Sequence, residues 1–235
     1  MNDLSPLFQL TNESLEAVMA GLEVNEEDRV LAICGSGDQA LAILETAHSV
    51  LAVDRSPLQV EYALSRINAL KRGDIERFLY AEPEAVTSNF DQEKGKKKRD
   101  DYFLREGRLL RIASKLDQFE LRRVEDVSDA LNKDQFNKIY LSNILSYGKF
   151  DLPEIMRYFS RLIASLPLNG LIYISDHEEL WAFSEEYRVA RNIKESLWPK
   201  NIKVNPSTSL ARMQERFWSP SVYQKVEELS HGSVD

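Results

Sequence analysis

Val30-Leu31-Ala32-Ile33-Cys34-Gly35-Ser36-Gly37-Asp38-Gln39-Ala40, VLAICGSGDQA, runs apolar for five residues and then breaks on two glycines. A short apolar run of this kind reads as a buried strand, here Arg29–Cys34. Asp38 stands where it caps a following helix, DQALAILETA, whose Leu41 and Leu44 face back onto a sheet. A strand that ends in Gly-x-Gly and enters a helix directly puts bare backbone beside a ligand, with helix N–H groups pointing at it. Gly35, Ser36, Gly37 and Asp38 are therefore candidate walls of a nucleotide-type pocket. The acid expected to accompany them sits at the end of the next strand, where it can accept ribose hydroxyls. His48–Val53 is that strand, and Asp54, followed by Arg55, ends it.

The same alternation extends in both directions. Residues 12–22, NESLEAVMAGL, predict a helix behind an Asn12 cap. Ser56-Pro57 combines an N-cap serine with an N1 proline and opens a helix carrying Leu64, Ile67 and Leu70 at helical intervals. Strand, helix, strand, helix implies a doubly wound, Rossmann-like α/β fold with a mostly parallel sheet. The pattern stalls at about 72–118, read as a helical and loop insertion over the sheet edge, with DQEKGKKKRDD at 91–101 as a mobile loop. Strands resume at Phe119–Val124, Lys138–Ser142 and Gly170–Ser175, with the helix PEIMRYFSRLIASL between the last two. That gives five parallel strands. The tail carries two helical patterns, EEYRVARNIKESL at 185–197 and SPSVYQKVEEL at 219–229. The whole is expected to be one domain spanning 1–235.

Composition narrows the function. With 235 residues, 43% of them hydrophobic and 29% charged, the chain is long enough for a substantial core. A net charge of −8 argues against a dedicated nucleic-acid binder. The single cysteine, Cys34, excludes an intrachain disulfide, and no Cys/His cluster has metal-ligand spacing, so no metal is expected. The N-terminus lacks the pattern of a secretory signal, and Leu162–Ser175 is interrupted by Pro167, Asn169 and Gly170. A cytoplasmic protein, with peripheral membrane contact left open, is the expectation.

Two ligands compete for the glycine turn. A dinucleotide needs the helix N-terminus to face a pyrophosphate, and Asp38 has the wrong charge there. S-adenosylmethionine carries a sulfonium and an ammonium and no phosphate, so it tolerates an acid. A nicotinamide-dependent oxidoreductase and a catalytically silent binding protein are the rival classes.

The residues DRVLAICGSGDQALAILETAHSVLAVDRSPLQVEYALSRINALK, with IYLSNILSY and GLIYISDH downstream, resemble the class I S-adenosylmethionine-dependent methyltransferases. More narrowly, GDQALAIL, AVDRSPLQ, LSNIL and ARMQERFWSPSVY resemble the S-adenosylmethionine:diacylglycerol 3-amino-3-carboxypropyltransferases of betaine-lipid synthesis. The resemblance implies S-adenosylmethionine as cofactor and a small-molecule or lipid acceptor. It places Gly35 and Gly37 beside the methionyl part and Asp54 on the ribose. Asp126 falls beside the adenine amino group, or else caps a helix. Ser142 and Asn143 fall at the reactive centre, or else cap the next turn. Ala32 stands where the methyltransferases carry an acid for the ligand's amino group. That departure, with the narrower likeness, implies aminocarboxypropyl rather than methyl transfer.

A hydroxyl acceptor needs a base within hydrogen-bond reach. Asp176 and His177, directly after the fifth strand, are the best-placed pair, with Tyr147 behind them. His177 also reads as a polar loop residue beside an acid. Cys34 reads as a small apolar side chain under the turn. The basic run Lys94–Arg99 reads as a solvated loop, or as a draw towards anionic lipid.

Overall fold

The computed structural model describes residues 6–80, 90–131, 135–144, 152–176, 202–204 and 219–227. Helix α1 (Leu15–Leu22) precedes β1 (Arg29–Ile33), α2 (Asp38–Thr46), β2 (Ser49–Asp54) and α3 (Pro57–Lys71). Helices α4 (Ile75–Tyr80), α5 (Phe90–Phe103) and α6 (Arg108–Ser114) follow, then β3 (Phe119–Arg123) and β4 (Lys138–Tyr140). Helix α7 (Leu152–Ser165), β5 (Leu171–Asp176), β6 (Ile202–Val204) and β7 (Ser219–Lys225) complete the described elements.

The strands form one sheet in the order β3-β2-β1-β4-β5-β7-β6. The five from β3 to β5 are parallel, and β7 runs antiparallel to both β5 and β6. Alternate residues of each central strand feed opposite cores, which is why β1 and β2 read as unbroken apolar runs. Val30, Ala32, Val50, Ala52 and Tyr140 pack with α1, α2 and α3; Leu31, Leu51, Val53 and Ile139 pack with Leu162 and Ile163 of α7 and with Leu166 directly after it. The fold is α/β and doubly wound.

Four local expectations change. Helix α1 is capped by Ser14, whose Oγ accepts from Ala17 N–H at 3.2 Å. Asn12 instead belongs to an extended segment that crosses the cavity described below. Helix α2 has Gly37 as N-cap with no side-chain bond, so Asp38 is its first residue rather than its cap. Asp38 is drawn inward by two arginines, which outcompete the helix's own N–H groups for its carboxylate. The run at 91–101 lies within α5 rather than in a mobile loop. It is held because Arg99, Tyr102 and Phe103 are buried, with Phe103 meeting Phe78 edge to face.

Residues 219–225, read as helical from their Ser-Pro start, form β7. Val222 is buried between the sheet and α1, and Tyr223 pairs with both Ile172 and Val204. Pro220 is tolerated because it lies near the strand end, where no ladder donor is needed. The helical pattern at 185–197 lies outside the described residues. Among those residues, no helix is long and apolar enough to cross a membrane.

Candidate functional site

At the carboxyl edge of β1, β2 and β4 the described residues enclose a cavity of about 250 Å³. The turn after β1 forms one wall. Gly35 and Gly37 have φ of 49° and 83°, a left-handed backbone that suits glycine. The turn closes through Gly37 N–H to Cys34 C=O at 2.7 Å, and the β1–β2 ladder runs on through Cys34 N–H to Val53 C=O. Cys34 is wholly buried, and that burial pushes its thiol far above the ordinary range.

Asp54 forms the opposite wall. Its Oδ2 accepts from Gly35 N–H at 3.2 Å and its Oδ1 from Ser56 N–H at 2.9 Å, tying the end of β2 to the glycine turn. Burial raises its carboxyl above the usual value despite those two backbone donors. Arg55 is exposed at the rim. Beyond it, Val124 and Val127 provide an apolar slot flanked by Asp126. The Asp126 carboxylate caps the short turn at 127–130, accepting from Ser128 N–H at 2.7 Å. Asp126 is thus a cap that also lines the cavity.

The roof is the segment before α1. Leu7, Phe8, Leu10, Thr11 and Asn12 line the cavity. The buried Gln59 fastens this strap to the glycine turn, donating from Nε2 to Phe8 C=O and Gly35 C=O, both at 2.6 Å, while its Oε1 accepts from Phe8 N–H. Tyr62 Oη donates to Gln9 C=O, Arg99 donates to the same carbonyl, and Lys98 donates to Asn12 C=O. Almost every fastening is a side chain gripping strap backbone. Where α5 crosses the strap it does so at Gly95, where an added Cβ would lie 2.8 Å from Thr11 C=O and 2.9 Å from Leu10 Cβ.

Behind the turn lies a buried ion network. Asp38 accepts from Arg66 Nη2 at 2.7 Å and from Arg99 Nε and Nη2 at 2.8–3.0 Å, and all three side chains are within 1% of complete burial. Ser36 Oγ at 2.9 Å and Thr11 N–H at 3.1 Å complete the carboxylate's partners. Arg66 also holds Phe78 C=O and Ser36 C=O, and Arg99 holds Leu79 C=O. Burial alone would raise the Asp38 carboxyl, but the two guanidinium groups outweigh it and hold it below its ordinary value.

At the end of β4, Tyr140 Oη and Ser142 Oγ both donate to Glu13 Oε1, the former at 2.8 Å. Ser142 has φ of 54°, uncommon for a residue with a side chain, and its carbonyl accepts from Ser175 N–H at 2.8 Å.

Of the residues expected from sequence, Gly35, Ser36, Asp54, Arg55, Asp126, Ser142 and Asn143 line this one cavity. Gly37 and Asp38 do not; Gly37 packs against Ala63, and Asp38 faces the arginines. Asp176 ends β5 at the same sheet edge, paired with Ser219. His177 and Tyr147 lie outside the described residues. The sequence reading missed the strap, Gln59, Glu13 and Arg99. Gly95 was the one available signal, since a glycine inside a helix often marks a close backbone approach.

No family model matches the chain, and no curated protein matches it in sequence. Solved structures match it along most of its length. An S-adenosylmethionine-dependent methyltransferase of Aquifex aeolicus superposes with a TM-score of 0.54 at 14% identity, covering 91% of this chain and 90% of its own. The chain has the Rossmann-like methyltransferase fold. A chain from the Haloferax volcanii complex of the Trm112 methyltransferase activator matches with a TM-score of 0.52 at 13% identity, over 91% and 89% of the two chains. The N-methyltransferase NodS of Bradyrhizobium japonicum WM9, solved with S-adenosyl-L-homocysteine, matches with a TM-score of 0.50 at 8% identity, over 90% and 85%. The narrower likeness to the betaine-lipid aminocarboxypropyltransferases finds no support among these matches.

Proposed function

We propose that the protein is an S-adenosylmethionine-dependent transferase, with methyl transfer the reaction its fold supports best. The observation that carries the reading is Asp54, a carboxylate at the end of β2 held against the glycine turn by Gly35 and Ser56 N–H groups. Its remaining lone pairs suit a pair of ribose hydroxyls. Val124 and Val127 offer faces for an adenine ring, with Asp126 at its edge. Among the described lining residues, Asp54 and Asp126 stand against the single guanidinium of Arg55, Glu125 being paired with Arg123, a balance that favours a cationic ligand.

The same features disfavour a dinucleotide. Asp38 occupies the start of α2 yet is committed to Arg66 and Arg99, and neither it nor Gly37 lines the cavity. The antiparallel β7 beside β5 also departs from the all-parallel dinucleotide-binding order.

When bound, the cofactor supplies a sulfonium whose neutral thioether leaves without electrophilic help, so placement and dehydration provide much of the rate. The strap excludes water through Phe8 and Leu10. Ser142 and Asn143 border the reacting edge, and Asp176 with His177, or Tyr147, is the proposed proton acceptor for a hydroxyl or amine. The second reading, aminocarboxypropyl transfer, is supported by the resemblance alone, which sets Ala32 of β1 where the methyltransferases carry an acid for the ligand's amino group; Ala32 itself is wholly buried.

The acceptor is proposed to be a small molecule or lipid. A nucleic-acid or membrane role for the run at 94–99 is disfavoured because Lys98 and Arg99 grip the strap, Lys97 pairs with Asp101, and Lys96 lies over Tyr80. Calorimetry with S-adenosylmethionine, S-adenosylhomocysteine, methylthioadenosine and NAD tests the cofactor; binding of NAD alone would refute the proposal. Incubation with S-adenosylmethionine and a cell or lipid extract then separates the two readings. Enzyme-dependent S-adenosylhomocysteine reports methyl transfer, and methylthioadenosine reports aminocarboxypropyl transfer.

A further inference from the structure

Gln59 lines the cavity from the first turn of α3, and its side chain does not do what its place in the sequence dictates. In a Ser-x-x-Gln helix start the glutamine amide reaches back to the N-cap N–H and closes a capping box. Ser56 Oγ does accept from Gln59 N–H at 3.4 Å, but the Ser56 N–H is already taken by Asp54 Oδ1. The Gln59 amide is thereby released to the strap. We propose that Gln59 is a positioning residue that latches residues 6–8 over the cavity, so that its amide sets how fast the ligand enters and leaves rather than how tightly it is held.

Three features support this assignment, which rests on the cofactor reading above. Apolar packing holds this end of the strap only weakly: Leu7 lines the cavity and is still 83% exposed. Gln59 grips Phe8 by both of its backbone groups, accepting from the N–H at 3.1 Å and donating to the C=O at 2.6 Å. The same Nε2 donates to Gly35 C=O, and Gly35 N–H is held by Asp54, so the latch is seated on the glycine turn. Gln59 itself is 1% exposed, which keeps water from these bonds while the strap is shut.

The third feature is that the rest of the strap is anchored independently of Gln59. Gln9 C=O accepts from Tyr62 Oη at 2.7 Å and from Arg99, Thr11 N–H donates to Asp38, and Asn12 C=O accepts from Lys98. Loss of the Gln59 amide therefore loosens residues 6–8 about Gln9 and leaves the remainder in place. A gate that is shut most of the time, with or without ligand, slows entry and exit by the same factor. Weakening it raises both rates and leaves their ratio unchanged. A residue that holds the ligand directly affects mainly its exit.

The test measures S-adenosylhomocysteine exchange on the full-length protein by surface plasmon resonance, together with amide hydrogen exchange. Gln59→Leu keeps the bulk and removes the amide. Two hydrogen bonds to Phe8 are lost, so association and dissociation should both quicken about tenfold, with the dissociation constant within about threefold of wild type. The Phe8 amide should lose about tenfold in protection while the amides of β1, β2 and α2 keep theirs. Unchanged rates, or faster dissociation alone with a matching loss of affinity, would overturn the assignment. So would protection lost evenly across β1, β2 and α2, which would make Gln59 a support of the fold only.

If Gln59→Leu does not fold, Gln59→Asn takes its place. That variant keeps the amide and shortens its reach by one methylene, and the same rise in both rates is expected; its absence would overturn the proposal. A wild-type chain that binds neither S-adenosylmethionine nor S-adenosylhomocysteine refutes the cofactor reading alone. The latch then stands or falls on the Phe8 amide, whose protection needs no ligand.

Discussion

Asp38→Ala tests the strongest physical claim made for this fold, that a single carboxylate holds the glycine turn, the strap and α5 together. The substitution deletes the acceptor for Arg66 Nη2, for Arg99 Nε and Nη2, for Ser36 Oγ and for Thr11 N–H. Removing one partner of a buried pair costs about 3–5 kcal/mol, because the other charge is left uncompensated. Here two guanidinium groups are orphaned at once, so a loss of about 5 kcal/mol is expected, comparable to the whole stability of many domains. Arg99→Met should cost less, since it leaves Asp38 and Arg66 as a matched pair and loses the grip on Gln9 and Leu79 carbonyls. The assay is urea unfolding followed by circular dichroism, read as a shift in midpoint at constant slope.

The pH dependence supplies an independent check. Asp38 titrates below its unfolded value near 3.8, so its contribution is present above that value and lost as pH falls through the lower, folded one. Wild-type stability should fall steeply below about pH 4, and Asp38→Asn should flatten that limb. A folded Asp38→Ala protein destabilised by less than about 1 kcal/mol, with the wild-type acid profile, would refute the reasoning.

Three further outcomes follow. Gly95→Ala adds a Cβ only 2.8 Å from Thr11 C=O, so the strap must shift; ligand affinity by calorimetry should fall while the melting temperature changes little, because alanine favours the helix by up to about 1 kcal/mol. Asp54 titrates above its ordinary value through burial, and the ligand's hydroxyls need its ionised form, so affinity should decline as pH falls through that raised value, beginning above pH 3.8; Asp54→Asn should bind weakly and without that pH dependence. Cys34 is buried and its thiol raised by that burial, so iodoacetamide at pH 8 should label it only as the protein unfolds. Rapid labelling of the folded chain, followed by mass spectrometry, would count against a closed strap.

What the sequence disclosed follows the range of the forces involved. The central strands were legible because both faces are buried, which writes a continuous apolar run into VLAI and VLAV. Ser56-Pro57 was legible because N-cap and N1 chemistry is local, and Ser56 Oγ does accept from Gln59 N–H. Ser219-Pro220 carries the same two residues and misleads, since the strand there is set by pairing with β5 and by Val222 meeting α1. Neither partner is near in sequence. The basic run misled for a related reason. It has no amphipathic stripe, and the residue that decides its fate, Arg99, finds its partner Asp38 across 61 positions. The strap was invisible because its fastenings use backbone groups, which every residue carries.

Asp38 shows how an exclusion can rest on the wrong residue. An acid at the start of α2 is expected to repel a pyrophosphate. Yet two arginines neutralise that carboxylate, and the trio carries a net positive charge, so electrostatics at the helix start alone would admit a phosphate. What opposes one is placement: Gly37 and Asp38 do not line the cavity, and the guanidinium groups are spent on Ser36, Phe78, Leu79 and Gln9 carbonyls. A phosphate in the cavity would meet Asp54 and Asp126 with only Arg55 in compensation, since Glu125 is paired with Arg123. A sulfonium and an ammonium meet the same carboxylates as counter-charges. The preference for a cation therefore belongs to the cavity walls, and a chain with Asp38 paired and Asp54 replaced should lose it.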